Sequence, residues 1–63
     1  MKTYEVITIK NFYFTTKANS IYDFSEEHVI VGVNSYGQEV LTPMSSVAHI
    51  VEKKEIKEDN NNG

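Results

Sequence analysis

The sequence predicts a small all-β barrel of four or five short antiparallel strands, with a 3₁₀ turn near Pro43 and a disordered C-terminal tail. Three observations lead there. Residues 3 to 52 are rich in Val, Ile, Tyr, Phe and Thr, which suit a pleated, half-buried surface. Apolar residues in that stretch recur with the period of two that marks a strand. Turn-forming residues interrupt the runs so closely that no helix of ten or more residues is supported.

The elements follow in order. Tyr4 to Lys10 alternates, with Tyr4, Val6 and Thr8 on one side and Glu5, Ile7 and Ile9 on the other. Lys10-Asn11 makes a turn, because Asn tolerates positive φ. Phe12 to Ala18 is the second strand, with Phe12, Phe14, Thr16 and Ala18 on one face, until Asn19-Ser20 breaks it. Ile21 to Ser25 is open between a strand and one helical turn with Ile21 and Phe24 inward. His28 to Val33 aligns Val29, Val31 and Val33, and Asn34-Ser35-Tyr36-Gly37 reads as a hairpin turn into a return strand, Gln38 to Thr42. Pro43 stops that strand, since it cannot donate a ladder hydrogen bond. Met44-Ser45-Ser46 fits one 3₁₀ turn, and Val47 to Glu52 is the closing strand. The barrel domain is expected over residues 1–54. A disordered polar tail is expected over 55–63, where Ile56 is the only apolar residue.

Length and composition bound the function. A chain of 63 residues is one domain at most, too short for a cofactor domain or a deep substrate cleft. Such a chain buries only about 60% of its unfolded surface. Cysteine is absent, which removes disulfides, thiolate catalysis and sulfur-ligated zinc. The opening Met-Lys-Thr-Tyr-Glu lacks the apolar stretch of a secretory signal, and no segment reaches a membrane-spanning length. Together these predict a cytoplasmic, soluble protein with no membrane partner. Six Lys, no Arg and nine acids give a net charge of −3. Arg is the usual bidentate reader of phosphate and guanine, so its absence disfavours nucleic-acid binding through a basic face.

The segment from Gly37 to Val51, running through Leu41-Thr42-Pro43-Met44-Ser45-Ser46-Val47, resembles the end of an SH3-type barrel, where a strand enters a Pro-containing 3₁₀ turn and a short last strand follows. With Val29 to Val33 ahead of it, the same stretch resembles the second half of an Sm-like (Hfq-type) barrel. The Sm-like resemblance implies a last strand, Val47 to Val51, that pairs with a neighbouring subunit in a homo-oligomeric, RNA-binding ring. Both resemblances cover about half of the chain and report barrel geometry. The chain also departs from each pattern. Ile21-Tyr22-Asp23-Phe24 is similar to the aromatic motif of peptide-binding SH3 domains, but it lies much closer to the Pro turn, and no Trp is present. Proline-rich peptide binding is therefore not expected. The Lys-His pair of the bacterial RNA-binding turn is replaced by Met44-Ser45-Ser46, and no N-terminal helix precedes the barrel.

No constellation of residues supports catalysis. His28 and His49 lack partners at metal-ligand or general-base spacing. His28 reads as a solvent-edge residue and His49, alternating with Val47 and Val51, as a partly buried one. Ser45-Ser46 and Thr15-Thr16 have no positioned base. No cofactor and no metal are expected. The chemistry-bearing features are the aromatics and one acidic cluster. Phe12, Phe14 and Phe24 are the expected core rings, while Tyr13, Tyr22 and Tyr36 are expected to be exposed, with Tyr36 at a hairpin tip. Exposed Tyr is favoured at protein interfaces and can stack bases. Asp23, Glu26 and Glu27 form an acidic loop that could dock on a basic partner. These features predict a non-catalytic regulatory or accessory protein that binds another protein through Tyr13, Tyr22, Asp23, Glu26, Glu27 and Tyr36. The Lys-, Asn-, Ile- and Tyr-rich usage suits a phage or mobile-element modulator of a host protein. The alternative is the Sm-like RNA-binding oligomer.

Overall fold

The computed structural model describes residues 1–54, so the tail expected over 55–63 lies outside the described residues. Five antiparallel strands form one curled half-barrel: β1 (Lys2–Thr8), β2 (Tyr13–Ala18), β3 (Val29–Val33), β4 (Glu39–Pro43) and β5 (Val47–Glu52). Their spatial order is β4-β3-β2-β1-β5, a four-stranded meander with the last strand added beside the first. Two 3₁₀ turns, Ile21–Phe24 and Met44–Ser46, connect β2 to β3 and β4 to β5. The all-β class, the five strands and the Met44–Ser46 turn agree with the sequence reading. The segment left open at Ile21 is a 3₁₀ turn.

The core follows from alternation on β1 and β2. Tyr4, Val6 and Thr8 are buried along one face of β1, as their spacing predicts, and Phe14 and Ala18 are buried on β2. The cross-strand pair Val6–Phe14 places two of these side by side. Ile30 completes a buried cluster with Val6 and Phe14, over which Phe24, Val40, Met44, Val47 and Ile50 pack half-buried. Phe24 also meets Tyr4 edge-on, with ring centroids 5.4 Å apart at 80°.

On β3 the inward residues are Ile30 and Gly32, so the aligned Val29, Val31 and Val33 form the outer, exposed face. Gly32 has a steric reason. A methyl group there would run into the Thr15 carbonyl oxygen and stand 2.5 Å from Phe14 Cδ2. Only a residue without Cβ lets β3 cross so close over the Phe14 ring. The crossing leaves β2 and β3 with one ladder pair, Thr15–Val33. Threonine hydroxyls stitch the rest of the seam: Thr16 Oγ1 donates to the Val31 carbonyl at 2.7 Å, and Thr15 Oγ1 to that of Val33 at 3.4 Å.

Three expectations are corrected. Phe12 is 70% exposed rather than core. It keeps the parity of Phe14 but sits beyond the start of β2, at the rim, where no strand passes over it. His49 is exposed, because it pairs with Ile7 on the outer face of β1. Pro43 does end β4, but from inside it, as its last residue opposite Val29 rather than as the residue after it. The flanking bonds, Asn34 N–H to the Gln38 carbonyl and Met44 N–H to that of His28, set the alternation of the ladder. By that alternation Pro43 falls where a backbone N–H would point away from β3, so its missing donor costs the sheet nothing.

Gly32→Ala should cost at least about 2 kcal/mol, since the added methyl overpacks against backbone as well as a ring. Total stability for a chain of this size is about 3–9 kcal/mol. Chemical denaturation should show a large fall in midpoint, whereas a midpoint close to wild type would contradict the close crossing.

Candidate functional site

Two hairpin turns stand at the same end of the half-barrel and share one geometry. In the β1–β2 turn, Asn11 N–H donates to the Thr8 carbonyl at 2.9 Å and Thr8 N–H to the Phe12 carbonyl at 2.8 Å. In the β3–β4 turn, Gly37 N–H donates to the Asn34 carbonyl and Asn34 N–H to the Gln38 carbonyl, both at 3.0 Å. The fourth residue of each loop is left-handed: Asn11 at φ 67° and Gly37 at φ 78°. Counted with their closing residues, Thr8 and Phe12 or Asn34 and Gln38, the loops span five positions, and the three between make the three-residue hairpin ending in one αL residue. Asn and Gly are the residues that adopt αL most readily.

The first residue of each loop adds a side-chain clamp. Thr8 Oγ1 accepts from Phe12 N–H at 3.1 Å. Asn34 Oδ1 accepts from both Tyr36 N–H and Gln38 N–H, and Asn34 Nδ2 donates to Gln38 Oε1, each at 3.0 Å. Polar side chains folded back onto their own loop fix its backbone. Both turns are thereby held rigid, and each presents an aromatic ring: Phe12 from the first, Tyr36 from the second.

Between the turns lies an open groove of about 480 Å³. Phe12, Tyr13 and Tyr36 line it, with Asn11, Asn34 and Ser35 at its edges and Phe14, Val40 and Thr42 at its floor. Tyr13 is 55% exposed and Tyr36 is 85% exposed. No charged residue lines this groove. The turns and strand ends framing it contribute only Lys10 and Glu39.

The expected site residues therefore divide between the two ends. Tyr13 and Tyr36 come together with Phe12. Tyr22, Asp23, Glu26 and Glu27 lie at the other end, in and after the Ile21–Phe24 turn that joins β2 to β3. Asp23 serves that turn directly: its carboxylate accepts from Asn19 N–H at 3.0 Å and Ser20 N–H at 3.3 Å. Ser20 Oγ accepts from Tyr22 N–H at 3.1 Å, completing a capping box. Glu26 and Glu27 are exposed, and no side-chain bond joins them to the protein among the described residues. Phe12 is the groove residue that sequence reasoning assigned to the core. Its signal was the αL-prone Asn11 immediately before it, which ties Phe12 to Thr8 as the closing pair of a turn.

No group of three or more His, Asp or Glu stands close enough to hold a metal ion among the described residues. No described helix is long and apolar enough to cross a membrane.

Gly37→Ala should cost about 1–2 kcal/mol, the strain of holding an L side chain in the left-handed region, although open space surrounds the added methyl. Asn11→Gly at the twin position should be neutral or slightly stabilising. Thermal denaturation of the pair checks this, and equal effects of the same sign would contradict the shared turn geometry. No family model matches the chain, and no curated protein or solved structure is significantly similar to it.

Proposed function

We propose that this protein is a non-catalytic binding module that recognises another protein through the aromatic end of its half-barrel. The observation that carries the reading is the groove between the two clamped turns, where Phe12, Tyr13 and Tyr36 are exposed together and no charge lines the wall. Depletion of charge with enrichment of aromatic rings is the composition of a protein-interface centre. Tyr and other large rings supply contact area at low entropic cost, which is why they dominate binding hot spots. Rigid turns lower the ordering cost of binding further. The Asn11 side-chain amide at the edge can pair with a partner's backbone.

The same groove disfavours nucleic acid. Single-strand binders combine stacking rings with a cationic track for the phosphates, and here Lys10 is the one cation in the turns that carry the rings, among the described residues. The acidic residues Glu26 and Glu27, with Tyr22, form a separate surface and serve as the internal control. A regulatory role, in which binding occupies a surface of the partner, fits a module that presents one aromatic recognition face.

The test is affinity capture from the source cell with three baits: the wild-type chain, a Phe12→Ser/Tyr36→Ser double variant, and Tyr22→Ser. Surface changes of this kind leave stability within about 0.5 kcal/mol, which melting curves verify. The wild type and Tyr22→Ser should retain the same protein, and the double variant should lose it by tenfold or more, the effect of about 1.4 kcal/mol. Equal retention by the double variant, or recovery of RNA in place of protein, would overturn the proposal.

A further inference from the structure

The sheet has two free edges, and they are not equivalent. On β4 the backbone groups pointing away from β3 belong to Glu39, Leu41 and Pro43, and Pro43 has no N–H. Proline at an outward position is a recognised way to blunt an edge strand. On β5 the bond from Lys53 N–H to the Thr3 carbonyl, at 2.8 Å, sets the alternation with β1. With the register Glu5–Val51 and Ile7–His49, the outward groups are then those of Ile50 and Glu52. Neither is proline, and neither has a ladder partner on its outer side among the described residues.

From this asymmetry we infer that β5 is a dimerisation edge, pairing antiparallel with β5 of a second copy about a two-fold axis at Val51. In that register Ile50 and Glu52 of one copy exchange backbone bonds with the partner's Glu52 and Ile50, four in all. Val51 faces the partner's Val51 across the axis, in the non-hydrogen-bonded position where side chains approach most closely. Val51 is 45% exposed on the outer face, so this pairing covers apolar surface. The neighbouring registers are worse. A shift toward the C-terminus opposes Glu52 to the partner's Glu52, and like charges directly opposite destabilise. A shift toward the N-terminus draws in Ala48, where the ladder with β1 is broken by a bulge. The self-complementarity at Val51 selects a second copy as the occupant. The blunted β4 edge selects a closed dimer over an open chain or ring built by joining β4 to β5. The aromatic groove is not part of this edge, so such a dimer would display two grooves.

The test is sedimentation of the full chain at graded concentrations, with amide hydrogen exchange on the same samples. Mass should rise from one copy to two and stop there, and exchange at Ile50 and Glu52 should slow as it does. Val51→Lys should remain a single copy throughout, because it sets two cations face to face on the axis. Within one copy the new lysine lies opposite Glu5, so the fold is preserved; an unchanged circular dichroism spectrum verifies that. Glu52→Pro, which removes one outward N–H from each copy, should weaken the dimer in the same direction. A wild-type mass of one copy at every concentration would overturn the inference. So would an assembly larger than two, or a dimer that survives Val51→Lys. Protection of the Ile50 and Glu52 amides that does not depend on concentration would overturn it too.

Discussion

The close crossing of β3 over β2 at Gly32 is the constraint on which the rest of the half-barrel depends. With a Cβ at this position, the chain would meet the Thr15 carbonyl and the Phe14 ring at once. Without it, β3 descends far enough for Ile30 to reach Val6 and Phe14 and close the one buried cluster of the fold. The same descent explains the sparse β2–β3 ladder and the threonine hydroxyls that replace part of it. The antiparallel meander then sets the β3–β4 hairpin tip at the same end of the sheet as the β1–β2 turn. The aromatic groove thus depends on a packing requirement beneath it, where Gly32 meets the Phe14 ring at the groove's floor.

A core this small makes the distribution of rigidity matter. Three buried side chains form the cluster, and the apolar residues packed against it, Phe24 among them, are only half-covered. The loops are therefore stabilised locally, by their own side chains, rather than by burial. Thr8 and Asn34 each accept from amides of their own turn, and Ser20 and Asp23 do the same for the Ile21–Phe24 turn. At the first two turns this produces a preformed ring-lined surface. At the third it engages one oxygen of the Asp23 carboxylate, and Glu26 and Glu27 remain exposed surface charges. The half-barrel accordingly has one end that is organised for recognition and another that is organised for itself.

Much of the fold was legible in the sequence because alternation is a local signal. Tyr4, Val6 and Thr8 read correctly as sharing one face, Val47–Glu52 was bounded as observed, and Met44–Ser46 was read as a 3₁₀ turn. Errors arose where burial depends on a neighbouring element rather than on parity. Phe12 has the parity of Phe14, yet burial ends at the rim, and no local pattern marks where a barrel ends. The three valines of β3 read as one aligned face with no direction assigned, and they face outward because Gly32 sets the inward side, a role visible only once Phe14 lies beneath it. Tyr13 and Tyr36 were recognisable as exposed rings, but their meeting with Phe12 is a product of topology. Pro43 was read as a terminator, and its position on the outward side of β4 required the hairpin register.

The central claim is that the two turns hold a binding surface already formed in the free protein. Backbone relaxation of the uniformly ¹⁵N-labelled chain in solution tests it most directly. The account predicts order parameters of about 0.85 through both Thr8–Phe12 and Asn34–Gln38, equal to those of the strands. Values below about 0.6 in either turn would contradict it, because rings carried on a mobile loop do not constitute a preformed site.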